Sequence, residues 1–146
     1  MSEQAHNYAV NLAWKEGRVG NLSSPVLNNS IEVATPPEFE GGVEGIWSPE
    51  HLFVASVASC FMTTFTAIAG YSKLAFENLD VQTLGIMDKV EGKYAITEII
   101  LRPTLLIEEE KYTDKAHRIL EKAEAACLIT RSIKTKVKLE PEVKVG

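Results

Sequence analysis

Cys60 and Cys127 are the two thiols of this 146-residue chain. They stand far apart in sequence, so they form no Cys-x-x-Cys redox motif. The three histidines, His6, His51 and His117, fall in separate predicted elements. None stands beside a cysteine or carboxylate at metal-ligand spacing, and no metal site is expected. No GxGxxG, GxxxxGK[ST] or GxSxG run occurs, which leaves nucleotide binding and serine hydrolysis without support. Thiol chemistry remains. A buried cysteine is ordinarily an inert small hydrophobe. It becomes a nucleophile where its surroundings favour the thiolate. Cys60 is flanked by the small residues Ala55, Ser56, Ala58 and Ser59, which allow close approach. A charged pair is also available, Arg18 just after Gly17 and Glu50 at the mouth of the helix that carries Cys60.

The elements that must position these residues follow from periodicity. Tyr8, Val10, Leu12 and Trp14 alternate with small and polar residues, a strand pattern. Lys15-Glu16-Gly17 turns the chain, Arg18 to Ser23 returns as a hairpin partner, and Ser30 to Ala34 is a third strand. A Pro- and Gly-rich loop leads to Ser48, an N-cap, with Pro49 at the first helical position and Glu50 favoured by the helix dipole. The helix should run to about Ala69 and stop at Gly70. It is apolar nearly all round, which predicts burial on all sides. Val81 to Lys89 and Ala95 to Ile107 read as strands joined by a turn, with Pro103 marking an edge or a bulge. Thr113 should cap a second helix whose stripe is Ala116, Ile119, Leu120, Ala123, Ala126 and Cys127. Ile133 to Leu139 alternates with lysines as a last strand. The order βββ-α-ββ-α-β indicates an α+β fold, expected as a single domain over residues 1–146.

Composition narrows the partners. Hydrophobic residues make up 45% and charged residues 24%, the balance of a folded globular chain. A net charge of −5 gives no footprint for nucleic acid or anionic lipid. The run from His51 to Gly70 carries no Lys, Arg, Asp or Glu and is long enough to span a bilayer. Its serines and threonines make it weakly hydrophobic, so it reads as a core helix. The opening residues lack a basic segment followed by an apolar one, and a cytoplasmic location with reduced thiols is expected.

The run SPEHLFVASVASCF resembles the central-helix signature of the osmotically inducible protein C / organic hydroperoxide resistance (OsmC/Ohr) family, in which a glutamate precedes Ala-Cys-Phe at this interval. Arg18 in EGRVG and Cys127 in AEAACLITRSI stand where members carry an arginine and a second cysteine. The usual Cys-Pro-x-Ser is here Cys127-Leu128-Ile129-Thr130, a departure that blurs the subfamily. The resemblance implies thiol-dependent reduction of organic hydroperoxides, with hydrogen peroxide a further substrate. It implies Cys60 as the peroxidatic thiol and Cys127 as the resolving thiol, with Arg18 holding the thiolate and Glu50 orienting Arg18. It implies no cofactor, an external thiol or dithiol reductant, and an intertwined homodimer with sites at the interface.

On a straight helix Glu50 and Cys60 are about 15 Å apart and roughly 80° apart in direction, so they do not touch within one helix. Arg18 or a second subunit would have to bridge them. Phe61, Phe53, Ile46, Trp47 and Phe39 are candidates for an apolar substrate wall, or for core. Two other functions fit the same residues: a non-enzymatic thiol sensor or hydrophobic-ligand binder of this fold, and a thioester-cleaving enzyme, for which no His–Cys pair is visible.

Overall fold

The computed structural model describes residues 5–146. The chain forms two compact units that meet in sequence between Leu52 and Phe53. Helix α1, Pro49–Tyr71, begins in the first and continues in the second.

The first unit holds an antiparallel sheet of β1 (Asn11–Glu16), β2 (Val19–Ser23) and β3 (Ile31–Ala34), in that order. Gly17, at φ 51°, makes the tight β1–β2 turn, and its carbonyl accepts the Trp14 indole N–H at 3.0 Å. The first strand starts later than its alternation suggests, so Tyr8 and Val10 precede it. Tyr8, Val10, Leu12 and Trp14 are all open in this chain, from 64% to 89% exposed. In the loop after β3, Val43 N–H donates to the Thr35 carbonyl. Gly42 lies so close to the Pro36 carbonyl that any side chain there would collide with backbone. Ser48 then caps α1 as expected, its Oγ accepting the His51 backbone N–H at 3.0 Å.

In the second unit α1 packs against a hairpin of β4 (Asn78–Val90) and β5 (Lys93–Ile107). Glu91 and Gly92, both with positive φ, form the two-residue turn. The helix does not stop at Gly70. It runs to Tyr71, and Lys73 takes the left-handed position (φ 57°) beyond it. The Leu74 N–H then reaches back to the Ala69 carbonyl at 2.9 Å. Gly85 on β4 is where the helix comes closest, since a Cβ there would strike Val54.

β5 is the centre of this sheet, so Pro103 marks neither an edge strand nor a bulge. β6 (Lys136–Leu139) pairs parallel with Glu98 to Leu101, and β7 (Glu142–Val145) with Thr104 to Ile107. Pro103 falls in the gap between them, where its missing N–H deprives no neighbour. The irregularity in the β4–β5 ladder lies between Ile86 and Met87. β7 was not anticipated: Pro141 ends β6, and the short alternation Glu142 to Val145 carries little periodic signal.

A 3₁₀ turn (Glu110–Tyr112) leads into α2 (Thr113–Ala126). Thr113 is the first helical residue rather than the cap, and its hydroxyl donates to the Glu110 carbonyl at 2.8 Å. The core joins Val57, Phe61, Phe65 and Ala69 of α1 to Ile99, Leu101, Leu105 and Ile107 of β5. Ala116, Ile119, Leu120 and Ala123 of α2 complete it. The four α1 residues recur every fourth position, a single stripe. The expected burial on every side is therefore not met within this chain: Ser59, Met62, Thr63, Thr66, Ala67 and Gly70 are open. Among the described residues α1 is the one helix long and apolar enough to cross a membrane by length and composition.

Candidate active site

Cys60 sits midway along α1, half-buried, beside the fully buried Val57 and Phe61. Cys127 is not on the α2 stripe as its spacing suggests. It is the joint between α2 and a four-residue helix α3 (Leu128–Arg131), serving as C-cap of one and N-cap of the other (φ −61°, ψ 116°). Its extended backbone breaks the helix, and its side chain is completely buried. The break turns the first amides of α3 toward Cys60. Both cysteines are free thiols, and they are near enough for each to shift the other's ionisation. The fold thus brings together two sulfurs that the sequence keeps far apart.

Their surroundings displace them in opposite directions. Burial by itself pushes the Cys60 thiol up. The Ile129 backbone N–H, the Cys127 thiol, the Thr64 hydroxyl and the Leu128 backbone N–H donate to the sulfur and outweigh burial. Its pKa therefore lies below the ordinary cysteine value of 9.0. Burial also pushes Cys127 up. The Thr130 hydroxyl and amide pull it down, but donation to Cys60 and the negative charge there raise it again, so Cys127 stays above 9.0. Cys60 is the sulfur that ionises first, and Cys127 is the one that keeps its proton.

A shallow open depression of about 240 Å³ exposes Cys60, with Ser56, Ser59, Thr63 and Ile129 around it. The hydroxyls of Ser56, Ser59 and Thr63 all donate to carbonyls of their own helix, at Phe53, Ala55 and Cys60. Their carbon atoms are therefore what the depression presents, and a wall written in serine and threonine is largely aliphatic.

The other predicted site residues fall as follows. Arg18 is exposed in the β1–β2 turn, its stem lying over Gly41. Glu50 is in the first turn of α1, with Oε1 buried and lacking a hydrogen-bond partner. Among the described residues of this single chain no ion pair joins Arg18 and Glu50. An exposed hairpin turn leaves the long Arg18 side chain free to lie elsewhere. Phe61 is core, stacked on Phe65, and Phe53 packs against that core, so neither lines the depression beside Cys60. Ile46 and Trp47 line a different hollow in the first unit, with Ser30, Ile31, Glu32 and Gly45. Phe39 is in the loop after β3, where its N–H donates to the Pro36 carbonyl.

The sequence reading missed the donors from Leu128, Ile129 and Thr64. The backbone amides carry no residue-type signal. Thr64, one turn beyond Cys60, was legible by its helical spacing. Among the described residues no group of three or more His, Cys, Asp or Glu side chains could hold a metal ion.

The α+β chain thus carries a cysteine on its central helix with a second thiol near it, a pair capable of thiol redox chemistry. The OsmC-like protein family matches residues 42–142, and the chain belongs to that family. It is 30% identical to the uncharacterized protein YmaD of Bacillus subtilis (strain 168) over 145 residues, covering 96% of this chain and 95% of that one. It is 27% identical to the peroxiredoxin OsmC of Escherichia coli (strain K12) over 106 residues, covering 73% and 72%. The fold matches that of an OsmC-like protein of unknown function from Vibrio cholerae O1 biovar eltor str. N16961. The TM-score there is 0.85 at 23% identity, over 94% of this chain and 99% of the other.

Proposed function

We propose that this chain is a cysteine-based peroxidase that reduces organic hydroperoxides, with hydrogen peroxide a further substrate. The reading is carried by one observation: two neighbouring free thiols, one half-buried beside an open depression and the other fully enclosed.

The Cys60 thiolate attacks the terminal peroxide oxygen. The S–O bond forms as the O–O bond breaks. The sulfur is oxidised to sulfenic acid, and the alkoxide leaves and takes a proton to become an alcohol. The Cys127 thiol then attacks the Cys60 sulfur. An S–S bond forms, the S–O bond breaks, and the hydroxyl departs with the thiol proton as water. Two external thiols, or one dithiol, reduce the disulfide and are themselves oxidised to a disulfide. The aliphatic depression beside Cys60 favours the carbon-bearing end of an organic peroxide.

The active unit is a homodimer in this reading, each copy a single OsmC-like domain in the reducing cytoplasm. The open face of α1 and the row Tyr8, Val10, Leu12 and Trp14 are apolar surfaces of the kind that association covers. A second copy would bring an arginine and a carboxylate to each thiol pair. Arg18 then holds charge on the departing oxygen, and the unpartnered Glu50 Oε1 gains a donor. Ile46, Trp47, Phe39 and Phe53 are proposed as the apolar wall that dimerisation completes.

The test is consumption of cumene hydroperoxide with dithiothreitol or dihydrolipoamide by wild type and Cys60→Ser. Activity confined to wild type supports the reading, and equal rates overturn it. Sedimentation at micromolar concentration should give a dimer, and a monomer would contradict the two-copy site.

A further inference from the structure

Five hydroxyl residues surround Cys60 along α1, and one of them is used differently. Ser56, Ser59, Thr63 and Thr66 donate to carbonyls three or four residues earlier in the same helix, at 2.6 to 3.1 Å. These bonds occupy the hydroxyl hydrogens and turn them away from the sulfur. Thr64 instead has its Oγ1 3.9 Å from the Cys60 Sγ, a contact in which either atom can be the donor. It stands four residues after Cys60, so the two side chains share one helix face. It is half-buried, one position before the fully buried Phe65.

We propose that Thr64 is a positioning residue for Cys60: its hydroxyl hydrogen is directed to the sulfur, holds that sulfur at the α1–α3 junction beside Cys127, and favours its thiolate. The proposal rests on the peroxidase reading for its catalytic consequence, though not for its physical content. A threonine hydroxyl can donate one hydrogen. Given to a neutral thiol it gains little. Given to a thiolate it is a charge-assisted bond, so it favours ionisation. The γ-methyl restricts the side chain to few rotamers, which keeps the hydroxyl on the sulfur side. The lowered pKa of Cys60 agrees, with the Thr64 hydroxyl among the donors that outweigh burial.

The test compares wild type, Thr64→Val and Thr64→Ser as full-length chains. The Cys60 alkylation rate with iodoacetamide is followed against pH by peptide-resolved mass spectrometry, and cumene hydroperoxide consumption is measured alongside. Valine keeps the shape and removes the hydrogen, while serine keeps the hydrogen and removes the methyl. Thr64→Val should raise the midpoint of Cys60 alkylation by about 0.5–1 pH unit, a three- to tenfold loss of thiolate near neutrality. Thr64→Ser should restore most of it, and peroxide consumption should fall in proportion to the thiolate lost. An unchanged midpoint in Thr64→Val overturns the proposal, as does an equal rise in the valine and serine variants. A midpoint that moves as stated in a protein without peroxide consumption supports the Thr64 role while overturning the peroxidase reading.

Discussion

The two cysteines are the same residue in one compact unit, and their surroundings make them different reagents. Cys60 stands on a long helix beside an open depression, and hydrogen-bond donors converge on it. Cys127 stands at a break between two helices, wholly enclosed, and acts as a donor itself. Burial opposes ionisation at both sites. What separates them is the direction of the hydrogen bonds: toward the sulfur at Cys60, and partly away from it at Cys127. At Cys60 the neighbouring donors outweigh burial, and at Cys127 they do not.

The largest effect that would break this comparison is loss of the nucleophile. Cys60→Ser should reduce peroxide consumption to the level of the reductant alone, measured with cumene hydroperoxide and dithiothreitol. Cys127→Ser should separate the two roles. It should spend about one equivalent of peroxide per site, stall in the absence of a small thiol, and leave a dimedone-reactive sulfenic acid on Cys60. Dimedone labelling confined to Cys127 in wild type would reverse the assignment.

A milder change tests the amides. Leu128 is the first residue of α3, where proline is well tolerated. Cys127 before it has the extended backbone that a following proline requires. Leu128→Pro should leave the fold intact and remove one donor from the Cys60 sulfur. The expected result is a rise in the pH midpoint of Cys60 alkylation, with up to about a tenfold loss of peroxide reactivity near neutrality. Because the folded-state pKa of Cys60 is depressed, the pH midpoint of its alkylation should fall below 9.0, while the Cys127 midpoint should lie above it. The smallest effect belongs to Ser59→Ala. That hydroxyl is bonded to its own helix, so its removal should change neither the midpoint nor the rate by more than about twofold.

Legibility in the sequence followed the same division. The Ser48 cap, the α1 span and the stripe Ala116, Ile119, Leu120 and Ala123 are periodic or positional signals, and the structure repeats them. The fold class was readable because three strands, a helix, a hairpin and a second helix each carried their own pattern. The break at Cys127 was not readable, because Leu128 to Arg131 continues with residues that suit a helix. Its extended backbone comes from the packing of the joint. The thiolate donors were assigned in advance to a charged side chain, since residue type is what a sequence displays. Backbone amides of Leu128 and Ile129 are present at every position and become donors only where the chain turns them toward the sulfur. The pairing of Cys60 with Cys127 likewise depends on β5, α2 and the joint, and no local pattern encodes it.

If Cys60 takes the peroxide oxygen and Cys127 resolves it, a single turnover without reductant should leave a Cys60–Cys127 disulfide. Reduced protein is mixed with one equivalent of cumene hydroperoxide per chain, quenched with an alkylating agent at low pH, and mapped by peptide mass spectrometry. The expected product has lost two hydrogens and yields a cross-linked pair of peptides containing Cys60 and Cys127. Over-oxidised Cys60 beside an alkylated, unreacted Cys127, or no oxidation of Cys60 at all, would contradict it.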